Sequence, residues 1–221
     1  MKMPIKWHPD TATLMSFAAG SLSEPLAAVV AAHADLCEEC RSEIARMEAI
    51  GGALLLGSSR EENERALQVP PLPDDETGGR DRIGSREVMK DRSDGLPSPI
   101  ARIYGLTLET IPWKRLAPGI WHHRLPLTNK SAGDLRLLRI DAGRTMPEHG
   151  HGGSEVTLVL QGSYSDETGS YGRGDVQDLD GTTEHTPIAN ADTGCICLIA
   201  SEHPARFKSV IARIMQPWTG M

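Results

Sequence analysis

The apolar periodicity of the chain changes once, and the change falls across a segment that has no periodicity at all. Residues 68–99 hold five prolines and four glycines among mixed charges. Such a stretch favours neither helix nor strand, and residues of about 68–96 read as a flexible linker. Before it, apolar residues recur at the three-and-four spacing of helices. After it they gather in short β-rich runs. A chain of 221 residues is long enough for a small domain on each side. The expected fold class is α + β in two domains. A small helical bundle occupies residues 1–105, linker included, and an antiparallel β-barrel occupies residues 106–221. The linker's composition argues against a core shared across that boundary.

Three helices are expected in the first sixty residues. Asp10 or Thr11 can cap the first, which carries Leu14, Phe17 and Ala18 and stops at Gly20. Ser23-Glu-Pro25 opens the second, with a hydroxyl cap and a proline in the first turn. Leu26, Val29, Val30 and His33 line one of its faces. The third runs from about Leu36 to Leu56, with Cys37, Cys40, Ile44, Met47, Gly51 and Leu54 as a buried stripe. A short helix is expected around Ile100–Tyr104. Beyond it, Leu135–Ile140, Val156–Leu160 and Cys195–Ile199 read as strands separated by Gly, Asp and Asn clusters.

The net charge is -7. A protein that grips nucleic acid directly usually carries a basic patch, and none is visible. The acid is concentrated in residues 1–96, which suits a basic protein partner or ordinary solubility. No run approaches the ~20 apolar residues of a spanning helix, and Met1–Asp10 has no apolar core behind its lysines. The expected location is the cytoplasm, with no membrane contact.

Two groups of residues carry metal-binding chemistry. His33-x3-Cys37-x2-Cys40 places an imidazole and two thiols at helical spacing, and His8, just ahead of the first helix, can supply a fourth ligand. Thiolate with imidazole selects zinc over magnesium or calcium, and four protein ligands make a closed structural site. The competing readings are two small buried cysteines and a redox Cys-x-x-Cys. The absence of a βαβ pattern weakens the redox reading.

The second group is Gly143-x5-His149-x-His151-x3-Glu155-x6-Gly162. On a strand, His149 and His151 point to one side, and Glu155 can return to the same point. His185 follows a glycine-rich segment and completes three imidazoles and one carboxylate, a set for zinc or another divalent transition metal. His122 and His123 fit neither group and read as strand or loop residues. Cys195 and Cys197 lie two apart on a strand, as small buried side chains or as a thiol pair near the metal. That spacing does not favour an unstrained disulfide.

The first group, with Trp7-His8-Pro9, Leu14, Ala18-Ala19-Gly20-Ser21-Leu22, Ala32-His33 and Cys37-Glu38-Glu39-Cys40-Arg41, resembles the zinc-dependent anti-sigma domain. The second resembles the cupin fold. Its first motif is complete. Its second has Leu179-Asp180-Gly181 where Pro-x-Gly is common, with one extra residue before His185. Together the two halves resemble the ChrR-like anti-sigma factors over nearly the whole chain. The resemblance implies a regulator, not an enzyme, with zinc at His8, His33, Cys37 and Cys40. It implies metal, usually zinc, at His149, His151, Glu155 and His185. The implied partner is an extracytoplasmic-function (ECF) sigma factor, held by residues 1 to about 105 with Leu96–Gly105 as a fourth helix. The implied signal is oxidative, singlet oxygen in particular. The rival reading is a cupin-type metal-dependent dioxygenase with an N-terminal zinc-binding interaction domain.

Overall fold

The computed structural model describes residues 4–62, 95–128, 131–150, 152–203 and 206–207. Most of the expected linker therefore lies outside the described residues, as does His151. Among the described residues the helices come first: α1 (Thr11–Ala18), α2 (Glu24–Leu36), α3 (Glu38–Glu62) and α4 (Ser98–Tyr104). Asp10 caps α1, its carboxylate accepting the Thr13 amide at 2.6 Å. Gly20 follows with φ 67°, a left-handed turn that glycine adopts without steric cost. Ser23 holds the N-cap position of α2, but its hydroxyl makes no capping bond. Cys37 is extended (φ -110°, ψ 112°) and separates α2 from α3. The third helix therefore begins at Glu38, not Leu36, and runs six residues past Leu56. Its expected stripe is buried only at Cys37, Cys40 and Ile44. Met47 is half-buried, while Gly51 and Leu54 are exposed.

The strands are β1 (Lys114–Ala117), β2 (Ile120–Arg124), β3 (Asp134–Ile140), β4 (His149–Gly150), β5 (Glu155–Asp166) and β6 (Gly169–Gly172). They continue as β7 (Val176–Leu179), β8 (Glu184–His185), β9 (Ile188–Ala189), β10 (Cys195–Ser201) and β11 (Arg206–Phe207). The main sheet runs β1-β2-β3-β10-β5-β6, with β7 and β9 also paired to β5. A small β11-β4-β8 sheet faces it. All of these pairings are antiparallel. The long strand β5 pairs with β10 and β7 up to Gly162 and with β6 and β9 beyond it. A Cβ on Gly162 would stand 2.0 Å from the Gly194 carbonyl oxygen, at a φ of 69°.

The alternation along the central strands sorts side chains into two cores. Leu138 and Ile140 of β3, Cys195 and Cys197 of β10, and Val159 of β5 fill the barrel interior. Leu135, Leu137, Val156, Leu158, Leu160, Leu198 and Ala200 point the other way, against Leu26, Val29 and Ala32 of α2 and Ile100 of α4. The expectation of no core shared across the domain boundary is thus overturned: the outer face of the barrel sheet is buried by α2 and α4. The physical reason is in the strands. In Val156–Leu160 the outward residues Val156, Leu158 and Leu160 are all apolar, and a face without polar side chains must be covered.

Val29 and Leu198 are fully buried in this joint core. Val29→Ala should cost about 1–3 kcal/mol, and helix and barrel signals should be lost in one coincident thermal transition. A helical signal that melts apart from an unchanged barrel would count against the shared core.

Two candidate metal centres

The helical cluster forms where α2 stops. Because Cys37 is extended, the chain turns, and the thiols of Cys37 and Cys40 are brought to His33 one turn back on α2. His8 arrives from the segment before α1. Its Nδ1 lies 3.5 Å from Cys37 Sγ and 3.3 Å from Cys40 Sγ. One ligand atom from each of His8, His33, Cys37 and Cys40 lies within 4.8 Å of all the others. For zinc with two sulfur and two nitrogen ligands, the N···S edge of the tetrahedron is about 3.6 Å, so these separations fit.

His33 is fully buried. Its Nδ1–H donates to the Gly174 carbonyl oxygen at 2.9 Å. That bond sets the tautomer and turns Nε2 to the cluster, where it is buried with no hydrogen-bond partner among the described residues. A buried lone pair aimed at two thiols is what a metal ligand requires. Burial lowers the His33 pKa to about 4, against the opposing effect of the Gly174 bond. Burial raises the Cys40 thiol to about 12, with neighbouring Cys37 adding to it. The imidazole is therefore ready as a neutral donor, whereas a thiol must surrender its proton to bind a cation. Metal uptake at such a cluster would release protons and weaken as the pH falls.

The barrel cluster is built differently. His149 opens β4, Glu155 opens β5 and His185 closes β8, where it is the register partner of His149. All three are buried and within 4.8 Å in ligand atoms. The Nε2 atoms of His149 and His185 stand 3.2 Å apart. His149 donates from Nδ1 to the Pro147 carbonyl at 2.8 Å, and His185 from Nδ1 to Asp166 Oδ2 at 2.8 Å. Both rings thus present Nε2 to one point beside a carboxylate, an arrangement that suits a divalent transition metal. Burial would raise the Asp166 pKa, but bonds from His185, Thr168 and Gln177 prevail and hold it below the usual carboxylate range. Asp166 stays ionised and anchors the His185 ring.

These three residues border a cavity of about 200 Å³ whose walls include Leu138, Ile140, Met146, Cys195 and Cys197. The two cysteines face the barrel interior, as their spacing predicts, and are unbridged. His122 lies on β2 and also faces inward, and burial lowers its pKa. Asp166, Gln177 and Gly174 support the ligands, and nothing in their local sequence marks them. Their partners are distant in the chain; Gly174 is 141 residues from His33.

No helix among the described residues is long and apolar enough to cross a membrane. The model of the ChrR cupin-like domain family matches residues 104–205. The anti-sigma-E factor ChrR of Cereibacter sphaeroides is 39% identical over 220 residues, 98% of this chain and 99% of that protein. The crystal structure of Rhodobacter sphaeroides SigE in complex with the anti-sigma ChrR matches with a TM-score of 0.71 and 37% identity. The match covers 90% of this chain and all of that one. With near-complete coverage of both domains in the same order, the chain belongs to the ChrR family of anti-sigma factors.

Proposed function

We propose that this chain sequesters an ECF-type sigma factor in the cytoplasm through its helices and releases it when the barrel meets an oxidative signal, such as singlet oxygen. The observation that carries the reading is the far half of α3. Ile50, Leu54, Leu55 and Leu56 are 62–75% exposed, in the C-terminal half of a 25-residue helix. An apolar stretch of this kind on a soluble protein marks a protein-binding face. The related ChrR is seen in complex with the sigma factor SigE, which supports a partner of the same class here. The acidic first half, with 17 Asp and Glu against 11 Lys and Arg in residues 1–96, favours a basic, nucleic-acid-binding protein as that partner. The chain acts as a regulator and not as an enzyme, in keeping with its family.

In this reading His8, His33, Cys37 and Cys40 hold a structural zinc, because an S2N2 donor set is zinc's own preference. His149, Glu155 and His185, with His151, hold zinc or another divalent transition metal in the barrel. The metal ties the His8 segment to the α2–α3 junction in one fixed geometry. A shift of about 1–3 kcal/mol between the barrel's two signalling states suffices to change partner affinity by one to two orders of magnitude.

Elemental analysis of the purified chain should give two metals, one of them zinc, and Cys37→Ala with Cys40→Ala should leave one. A value that the double substitution does not change would remove the helical site from the account. In a sigma-dependent reporter, Leu54→Glu should weaken repression about tenfold or more at unchanged protein level and metal content. Full repression by a folded Leu54→Glu chain would move the partner surface away from α3.

A further inference from the structure

The barrel orients both imidazoles of the helical cluster by contacts to His33 and to the strap before His8, while the thiols come from the α2–α3 junction. We infer that the β6–β7 turn, Gly172–Asp175, is a positioning element for the helical metal site, so that docking of the barrel and metal binding by the helices are reciprocally linked. The inference rests on the reading of His8, His33, Cys37 and Cys40 as metal ligands.

His33 is fixed by the Gly174 carbonyl, and His8 by the strap that precedes it. The Asp175 Oδ1 accepts the Lys6 amide at 2.6 Å and the Trp7 amide at 3.1 Å, while its Oδ2 accepts the Gly172 amide at 2.8 Å. The Val176 amide donates back to the Trp7 carbonyl at 3.0 Å. Trp7 Nε1–H donates to the Ser170 carbonyl at 3.0 Å, and the indole lies against Tyr171. Ile5 packs on Gly174 so closely that a Cβ there would meet it at 2.8 Å. Residues 5–7 are thus tied to β6 and β7, and the next residue is the ligand His8. An undocked barrel would free the His33 ring and release the strap. Groups that orient metal-bound histidines typically contribute about 10–100-fold to affinity. Linkage then requires the converse, that metal in the helical cluster strengthens docking by the same factor.

The test uses the full-length chain, with zinc affinity measured by chelator competition and cobalt(II) spectra reporting the ligand set. Asp175→Ala should weaken the helical site about tenfold or more and change the cobalt ligand-field bands, because an imidazole is lost or misplaced. Asp175→Asn retains an acceptor for the Lys6 and Trp7 amides and should recover part of the affinity. Asp192→Ala, on an exposed loop, should match the wild type. Metal retained at His149, Glu155 and His185 shows that the barrel is still folded. Should Asp175→Ala lose both metals, Trp7→Phe, which removes the bond to Ser170 and trims the ring against Tyr171, decides the matter by the same two readouts. In the wild type, removing the helical metal should speed hydrogen exchange at the Trp7 and Val176 amides. Unchanged zinc affinity and cobalt spectra in Asp175→Ala and Trp7→Phe, with exchange at Trp7 accelerated, would overturn the linkage alone. A wild-type chain that takes up no cobalt through Cys37 and Cys40 would overturn the metal reading and this inference with it.

Discussion

The burial of α2 on opposite sides is the constraint on which the arrangement depends. Val29 and Val30 are neighbours in sequence and about 100° apart around the helix. Val29 enters the core shared with the barrel sheet, and Val30 enters the core with Leu14, Cys37, Cys40 and Ile44. The same helix carries His33 in its last turn and is followed by Cys37 as its C-cap, so its packing also sets the position of the candidate helical ligands. Barrel, bundle and metal cluster therefore share one rigid element, and none can shift against α2 without disturbing another.

This sharing is written in the sequence, though in a form that a search for one-sided helices overlooks. Leu26-Ala-Ala-Val-Val-Ala-Ala-His33 has no charged residue, and a helix apolar all round is a buried helix. The strand runs carry the same message, since Thr157 is the one polar residue in Val156–Leu160. The linker's composition was a poor guide because it describes the tether and not the surfaces at its ends. In α3 the error had the opposite sign. Gly51 and Leu54 continue the helical period of Cys37, Cys40 and Ile44, and period alone does not tell a core face from a face left for another protein.

The two candidate clusters were legible for a related reason. His33, Cys37 and Cys40 are local in sequence, as are His149 and Glu155, and their spacings map directly onto helix and strand geometry. What supports them is not local. Gly174 meets His33, and Asp166 meets His185, through folding of distant segments, and a backbone carbonyl has no side-chain signature to find. The two centres also differ in electrostatic design. In the helical one burial lowers His33 and raises Cys40, which favours the neutral form of both. The barrel one retains an ionised carboxylate, Asp166, behind a ligand.

The exposed end of α3 also bears on how much of this protein a cell can hold. Ile50, Leu54, Leu55 and Leu56 form an uncovered apolar surface, and such surfaces on separate molecules attract one another in water. The chain is thus poorly suited to being stockpiled alone. Its colloidal solubility is tied to stoichiometry, and balanced synthesis of the chain with whatever covers α3 becomes a physical requirement as well as a regulatory one.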